Sequence, residues 1–219
     1  MSTILVLDRE RDTYQAVLIK DRVAETNLVK SAEELKAIYQ RHRPSKTIYL
    51  IWPEQSITKV LTLPVVKKEE IETALEFEME EDLPLSSDNY HFIHTVLKKD
   101  KESTLVLGSA FLKEPIDREI EYLQNAGVLV NEARLVVGEV LQWCLQNIND
   151  RDFVSVVKIK DSYLFAMFQD RVPVAIKTST NRSFIVVELE KLKKVFNSIN
   201  VYWSEEEHPE GTLPLPFDI

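Results

Sequence analysis

The side chains best placed to do chemistry in this sequence are carboxylates crowded into one short stretch. Eight Asp or Glu stand among the sixteen residues Lys67–Asp82, which contain no Gly or Pro and are predicted to form one helix. Glu72, Glu76 and Glu80 recur every four residues and share one stripe of that helix, where like charges are mildly destabilising. The opposite stripe is apolar and consists of Ile71, Ala74, Leu75 and Met79. Phe77 lies between the stripes and is a candidate apolar anchor for an interface.

Two interpretations of the acidic stripe remain open. It is either a solvated outer face or a docking surface for Lys or Arg side chains of a partner. Uncompensated repulsion on a short helix suits a face that meets cations. The candidate partner-binding residues are therefore Glu72, Glu76, Phe77 and Glu80.

Histidine and cysteine offer little for catalysis or metal binding. His91 and His94 form an H-x-x-H on a predicted strand, where they point to opposite faces, so we predict no metal site there. The single cysteine, Cys144, lies in an apolar helical run; it is interpreted as a buried structural thiol and fits a reducing compartment. Four histidines and one cysteine assemble into no Ser-His-Asp or Cys-His set. The tryptophans predicted to be core residues are Trp52, Trp143 and Trp203.

The composition is that of a globular protein with an acidic surface. Of 219 residues, 44% are hydrophobic and 29% are charged, and the net charge is −9. This balance argues against nucleic acid as a partner, because phosphate binding needs concentrated Lys and Arg, and it suits a basic patch on another protein. Met1 leads directly into a polar Ser-Thr pair, and no apolar run of about eighteen residues exists. We therefore expect neither a signal peptide nor a membrane span in these residues.

The elements around the acidic helix begin with three strands and a helix. Apolar runs bounded by charged turns predict strands, and the capping box Ser31-Ala32-Glu33-Glu34 starts a helix that reaches about His42. Further helices are predicted from Pro115 to Gly127 and over residues 135–147. The predicted strands of this half are 4–7, 13–19, 23–29, 47–52, 56–63, 90–97, 104–111 and 128–130.

The opening pattern recurs after residue 150. Strands predicted at 153–159, 163–168 and 172–178 are separated by charged turns and followed by a helix from about 182 to 198. We interpret this recurrence as an internal duplication. The last segment, residues 205–219, holds three prolines and is predicted to pack loosely or not at all.

The residues that flank the acidic helix form a distinctive frame. A strand ends in Leu63-Pro64, a glutamate-rich helix covers Glu69–Glu81, a second Leu-Pro stands at Leu83-Pro84, and the next strand starts with Tyr90-His91. This order resembles the cytoplasmic part of the PilM and GspL proteins, the actin-like scaffolds of type IV pilus and type II secretion machines. The likeness extends more loosely over residues 1–150.

The resemblance implies an α/β fold with mixed sheets, of the actin-like, ribonuclease-H-like type with two duplicated halves. Residues 1–150 would form the first half, including an inserted helix-strand subdomain at about 56–111. Residues 151–204 would form a truncated second half, and residues 205–219 a C-terminal tail.

Actin-like ATPases hold phosphate with two glycine-containing turns and place an acidic residue there for the metal. The equivalent turns here are Asp8–Asp12 and Lys160–Ser162. The first carries bulky charged side chains where bare backbone is needed, the second has no glycine, and the whole chain has four glycines. We therefore interpret Asp8 and Asp161 as ordinary turn acids and predict no catalysis, no cofactor and no metal.

By this resemblance the chain would be a non-enzymatic cytoplasmic scaffold, peripheral to or anchored at the inner membrane within a pilus or secretion assembly platform. It would dock a motor ATPase, the cytoplasmic tail of a membrane assembly subunit, or both, and a homodimer is expected in this group. Docking would use an extended peptide along a sheet edge or a small domain against the acidic helix. Two alternatives remain open. One is an ATP-binding actin-like protein, either an FtsA-like cytoskeletal anchor or a divergent kinase, and the other is an unrelated α/β binding domain.

Overall fold

The computed structural model describes residues 2–216 except residues 11, 22, 54–55, 65–66, 68–69 and 197–198. Its strands are β1 (Ile4–Glu10), β2 (Thr13–Lys20), β3 (Val23–Val29), β4 (Lys46–Ile51), β5 (Ser56–Pro64), β6 (Tyr90–Lys99), β7 (Ser103–Leu112), β8 (Glu132–Leu135), β9 (Phe153–Ile159), β10 (Ser162–Gln169), β11 (Val172–Ser179), β12 (Asn200–Trp203) and β13 (Leu213–Pro214). Its helices are α1 (Ala32–His42), α2 (Ile71–Met79), α3 (Lys113–Asn125), α4 (Val136–Asn147) and α5 (Arg182–Val195). Within the described ranges, no helix is long and apolar enough to cross a membrane.

The chain divides into two compact units. Unit 1 comprises Met1–Trp52 and Leu112–Val136, and unit 2 comprises Pro53–Phe111 and Val137–Ile219. This division follows the density of contacts within the chain. The boundaries that the sequence suggests for folding domains, at about residues 150 and 204, stay predictions.

Unit 1 is built on a five-stranded sheet with the order β3-β2-β1-β4-β8. The strands β1, β2 and β3 form an antiparallel meander, whereas β1, β4 and β8 run parallel to one another. Polar and apolar residues alternate along β2, so Tyr14, Ala16 and Leu18 all turn to the buried side. Leu5 and Leu7 of the neighbouring β1 are completely buried. The hairpin therefore forms part of the core of the unit.

The helix α1 starts where the sequence predicts. The Ser31 hydroxyl accepts a hydrogen bond from the backbone N–H of Glu34 (3.2 Å), and the Glu34 carboxylate accepts one from the N–H of Lys30 (2.9 Å). Leu35 is its buried residue. The helix ends at Arg43, which takes left-handed backbone angles immediately before Pro44.

The fifth strand of this sheet begins later than predicted, because residues 128–130 are not a strand and β8 starts at Glu132. Asn131 determines this start. Its side-chain oxygen accepts a hydrogen bond from the N–H of Thr47 (2.7 Å), and its own N–H donates to the carbonyl of Thr47 (2.9 Å). Because these bonds fix Asn131 beside Thr47, the parallel pairing begins with Ile48 and Glu132.

Unit 2 contains a five-stranded sheet with the same order and strand directions, β11-β10-β9-β12-β13. One face packs against α5 through a cluster that consists of Val154, Val156, Tyr163, Phe165, Met167, Ile185, Leu189, Val201 and Trp203. Ser155, between Val154 and Val156 in β9, points to the opposite face and is completely buried there. The repeated strand order is the internal duplication that the sequence indicates.

The segment after β12 is tied to this sheet, which corrects the prediction that residues 205–219 pack loosely. The strand β13 pairs with β12, and the N–H of Leu215 donates to the carbonyl of Trp203 (3.0 Å). The Glu205 carboxylate accepts hydrogen bonds from the Tyr163 hydroxyl (3.1 Å) and the Trp203 indole (3.2 Å). The prolines of this segment favour a loose tail when the sequence is considered alone. In the structure Pro214 lies in a short edge strand, where a missing N–H is tolerated. The last three residues lie outside the described part of the chain.

The inserted subdomain of unit 2 is a three-stranded sheet, β5-β7-β6, that carries α2. Leu63, Ile71 and Val106 form a buried cluster between the helix and the sheet. Gly108 of β7 lets the helix come close, since a Cβ atom at that position would lie 2.1 Å from Cδ1 of Leu75. The helix therefore rests on bare backbone at this point.

Candidate docking surface and the charged turns

The acidic helix begins later than predicted. The helix α2 starts at Ile71, and a turn precedes it in which the N–H of Glu70 donates to the carbonyl of Lys67 (2.9 Å). The Glu70 carboxylate in turn accepts a hydrogen bond from the N–H of Lys67 (3.0 Å). The predicted positions 68 and 69 lie outside the described residues. A 3₁₀ turn over Glu80–Asp82 continues the helix to Leu83, which is extended before Pro84 as predicted.

The apolar stripe of α2 sets the direction of the acidic one. Ile71, Leu75 and Met79 are buried against the subdomain, and Ala74 packs beside them. The opposite direction carries the four predicted residues, which are Glu72, Glu76, Phe77 and Glu80. Of these only Glu76 is half-buried, and the rest are exposed. All four therefore lie on the solvent side of α2, spread over about 140° around its axis, and we call this side the acidic face.

The acidic face carries an uncompensated negative charge. Among the described residues, Glu72, Glu76 and Glu80 have no ion-pair partner, whereas the neighbouring Asp82 pairs with Lys59 of β5. Like charges at a spacing of four cost a helix about 0.2–0.5 kcal/mol per pair. A basic surface placed against this face would remove that repulsion.

Phe77 is 74% exposed, more than any other large apolar side chain in the described residues. A phenyl ring left in water on a helix that also turns three carboxylates outward is expected of an interface anchor in an acidic surface. Leu85, just after the second Leu-Pro, is 54% exposed in the same subdomain. Sequence reasoning missed Leu85, although its place directly after a helix-ending proline was a usable signal.

The Asp8 carboxylate, at the first charged turn, is already engaged. Asp8 is 6% exposed at the end of β1 and accepts a hydrogen bond from the indole N–H of Trp52 (2.5 Å). Burial raises the pKa of the nearby Tyr49 to about 12, although the Arg9 guanidinium opposes that rise. Asp8 is therefore part of a buried polar network and more than a turn acid. No local pattern in the sequence indicates that Trp52, 44 residues away, donates this hydrogen bond.

A buried carboxylate that the sequence did not predict lies near the same turn. Glu119 is buried on the inward side of α3 together with Ile116 and Leu123, whereas Ile120 is only half-buried. Glu119 forms an ion pair with Arg9 and accepts a hydrogen bond from the Tyr14 hydroxyl. Burial raises the pKa of the Tyr14 hydroxyl. A cavity of about 390 Å³ adjoins this cluster.

The second charged turn differs from the first. Lys160 and Asp161 connect β9 to β10, with Lys160 in the left-handed region at φ 52°. Asp161 is exposed. A lysine with a positive φ here shows that the turn forms without the glycine that a phosphate cradle requires.

The other candidate residues take structural positions. His91 and His94 alternate along β6, and the His91 ring lies 5.5 Å from the Phe111 ring. The Cys144 thiol is buried, and burial raises its pKa. Trp203 is a core residue as predicted, whereas Trp52 and Trp143 are half-buried. No group of three or more metal-ligating side chains occurs in the part of the chain that the structure describes.

Comparison with known proteins gives matches among solved structures only. No protein-family model matches the chain, and no curated protein sequence matches it at a significant level. The PilM-PilN type IV pilus biogenesis complex matches 89% of this chain with a TM-score of 0.64 and 16% identity. This chain spans 66% of that one, slightly less than two thirds.

Two further structures match nearly the whole chain. The cytoplasmic domain of EpsL, an inner membrane component of the type II secretion system of Vibrio cholerae, matches 97% of this chain and 90% of its own, with a TM-score of 0.60 and 14% identity. A Bacteroides thetaiotaomicron protein of unknown function with an actin-like ATPase fold matches 94% of this chain and 84% of its own, with a TM-score of 0.60 and 9% identity.

These matches confirm the predicted fold class. The two sheets of equal strand order, with a helix-strand subdomain inserted between them in the sequence, are the architecture that the Leu-Pro frame around the acidic helix indicated. The chain has the actin-like fold shared by PilM and by the cytoplasmic domain of the GspL protein EpsL.

Proposed function

We propose that this chain is a non-enzymatic scaffold of the inner-membrane assembly platform of a type IV pilus or type II secretion system. Its acidic face docks a basic surface of the motor ATPase, the cytoplasmic tail of a membrane assembly subunit, or both. The observation that carries the proposal is the exposed Phe77 on a helix whose Glu72, Glu76 and Glu80 have no ion-pair partner among the described residues, on a fold like that of PilM and EpsL.

The names of the similar structures support this placement. One is a complex of PilM with PilN, and the other is a component of the inner membrane secretion apparatus. A chain of the same fold in such a platform works in the cytoplasm, peripheral to or anchored at the inner membrane. The net charge of −9 fits a protein partner with a basic surface and disfavours nucleic acid. Homodimerisation is part of the same proposal.

The engaged carboxylate of Asp8 supports the non-enzymatic part of the proposal. A metal-binding carboxylate in an actin-like site has to face the metal, whereas an oxygen of Asp8 accepts a hydrogen bond from Trp52. The turn at Lys160 forms without glycine. Both features favour a protein that has the actin-like fold and binds neither a nucleotide nor a metal.

The fold itself favours a second candidate, an ATP-binding actin-like protein of the FtsA-like anchor or divergent kinase type. One similar structure is described as having an actin-like ATPase fold. Nucleotide binding is tested directly by a melting curve, described in the Discussion.

The docking proposal is tested by reversing charge on the acidic face. The affinity of the purified motor ATPase for the wild-type chain is compared with that for Glu76→Lys/Glu80→Lys by biolayer interferometry. We expect at least an approximately tenfold weaker complex, mainly through slower association, because opposite charges steer the encounter. Phe77→Ala is expected to accelerate dissociation instead, because it removes the apolar anchor.

The matched control is Glu102→Lys/Glu121→Lys, which changes net charge equally at exposed positions outside α2. It is expected to bind almost as the wild type does. If both charge reversals weaken binding equally, the effect belongs to net charge, and the acidic face is not the docking site.

A further inference from the structure

The outward face of α5 carries a second exposed stripe. Residues spaced three and four apart lie on one side of a helix, and on α5 this side holds Phe184, Val187, Lys191, Lys194 and Val195. The opposite side, with Ile185 and Leu189, is buried in the core of the second sheet. We call the outward stripe the basic face.

The apolar part of the basic face is open to solvent. Phe184 is 43% exposed and Val187 is 51% exposed. The ammonium of Lys177 lies 5.9 Å from the centre of the Phe184 ring and so holds one side of that ring. Two adjacent apolar side chains on one helical turn, held in place and left in water, form a small site for another apolar side chain.

The charge of this face is positive. Lys177 and Lys191 both pair with the carboxylate of Glu188, so two cations share one anion. Lys194 is exposed and has no ion-pair partner among the described residues. The cluster of Lys177, Lys191 and Glu188 therefore carries one net positive charge, and Lys194 adds a second.

The basic face and the acidic face are complementary. The acidic face offers one exposed phenyl ring and three carboxylates on the same helix, and the basic face offers an apolar pair and two lysines. Two acidic faces would repel each other, as would two basic faces. The favourable match therefore joins α2 of one molecule to α5 of another.

We propose that the basic face of α5 is a docking site for the acidic face of a second copy of this chain. Phe77 of one copy packs between Phe184 and Val187 of the other, and Glu76 and Glu80 face Lys191 and Lys194. The inference uses the same acidic face as the proposed function, so self-association and partner docking compete for it.

The assembly is head-to-tail, because the two surfaces that meet are different parts of the chain. In a pair, one copy keeps a free acidic face and the other keeps a free basic face, so the chain of molecules grows until it closes into a ring or is capped. The contact between two short helices is small, so association is weak and depends on concentration. Salt weakens it, since exposed charges are screened.

The test is sedimentation velocity of the full chain at about 10 to 300 μM, in about 50 mM and about 0.5 M salt. The wild type is expected to show a weight-average sedimentation coefficient that rises with concentration at low salt and stays at the monomer value at high salt. Glu76→Lys/Glu80→Lys and Lys191→Glu/Lys194→Glu are each expected to remain monomeric at low salt.

A quadruple variant tests whether the two faces meet, because it restores opposite charges with the signs exchanged. It combines Glu76→Lys/Glu80→Lys with Lys191→Glu/Lys194→Glu. Its regained association shows that these two faces meet, and circular dichroism confirms that every variant is folded. The proposal is overturned if the wild type stays monomeric throughout, or if the quadruple variant does not associate while the wild type does.

Partner binding separates this inference from the proposed function. Lys191→Glu/Lys194→Glu leaves the acidic face intact and is expected to bind the motor ATPase like the wild type. If it associates normally and binds the ATPase, the self-docking site is wrong and the scaffold proposal stands. If it stays monomeric and the wild type also fails to bind the ATPase, the scaffold proposal fails alone.

Discussion

The indole of Trp52 donates a hydrogen bond to the buried Asp8 carboxylate. Replacing Trp52 should therefore cost more stability than replacing Trp143. Trp52→Phe removes one hydrogen-bond donor to the Asp8 carboxylate, and a hydrogen bond to a charged group contributes about 1.5–3 kcal/mol. We expect Trp52→Phe to lower the free energy of unfolding by that amount in urea titrations. Trp143→Phe, at another half-buried tryptophan, is the control and should cost less. Equal losses would contradict a specific role for the indole.

Glu188 makes stability depend on pH. Hydrogen bonds from Lys177 and Lys191 lower the pKa of its carboxyl from 4.5 to about 2. Because the folded pKa lies below the unfolded one, this stabilisation is complete above pH 4.5 and is lost as pH falls towards 2. Glu188→Gln lacks it, so the difference in unfolding free energy from wild type should shrink through that window. Urea titrations in steps from about pH 7 to about pH 2.5 measure the difference, and a constant value would contradict the assignment.

Single positions show where sequence reasoning stops. The spacing of apolar residues on α2 correctly predicted which way Glu72 and Phe77 point, because helical periodicity is a local property. Glu119 was not predictable in the same way. Its burial depends on Tyr14, 105 residues away, and on Arg9, and no local pattern announces such partners.

At the scale of elements, Gly108 determines how closely α2 lies on its sheet. Gly108→Ala places a methyl group against Leu75 and should destabilise the subdomain by about 1–3 kcal/mol. Gly138→Ala is the matched control, since nothing lies within 4 Å of the added Cβ and the residue is in α4. It should stabilise by about 0.5–1 kcal/mol, because alanine favours helix over glycine. Thermal unfolding measures both, and a loss at Gly138 as large as that at Gly108 would exclude the steric explanation.

Elements with local signals were predicted, and elements that depend on distant partners were not. The capping box at Ser31 and the left-handed Gly127 marked helix ends correctly. The start of β8 depends on the pairing of Asn131 with Thr47 across 84 residues. The strand β13 forms by pairing with the edge of β12. The sequence does not predict it, because proline is uncommon in strands away from an edge.

At the scale of the molecule, charge is divided unequally between the two units. Unit 1 carries twelve Lys or Arg and twelve Asp or Glu, whereas unit 2 carries fifteen and twenty-four. The entire net charge of −9 therefore belongs to unit 2, which also holds α2 and α5. The sequence total favours a basic partner, and the division into units assigns the whole excess of carboxylates to unit 2.

Nucleotide binding is a property of the whole fold and is tested on the whole chain. A melting curve is recorded with and without millimolar Mg-ATP, with Mg-GTP as the control. A ligand at a hundred times its dissociation constant stabilises by roughly 2.7 kcal/mol, which is several degrees for a chain of this size. We expect no shift, because Trp52 occupies the Asp8 carboxylate and the second turn lacks glycine. A clear shift with Mg-ATP alone would favour the nucleotide-binding alternative.

The last strand of the second sheet has a consequence for synthesis on the ribosome. Trp203 is held by a hydrogen bond from Leu215 to its carbonyl, and β13 completes the sheet beside β12. A growing chain that stops short of residue 215 presents β12 with an open edge, which a nascent strand of another molecule can occupy. The second sheet therefore closes only when this stretch has left the exit tunnel, and a chaperone that shields β12 until then would raise the yield of folded protein.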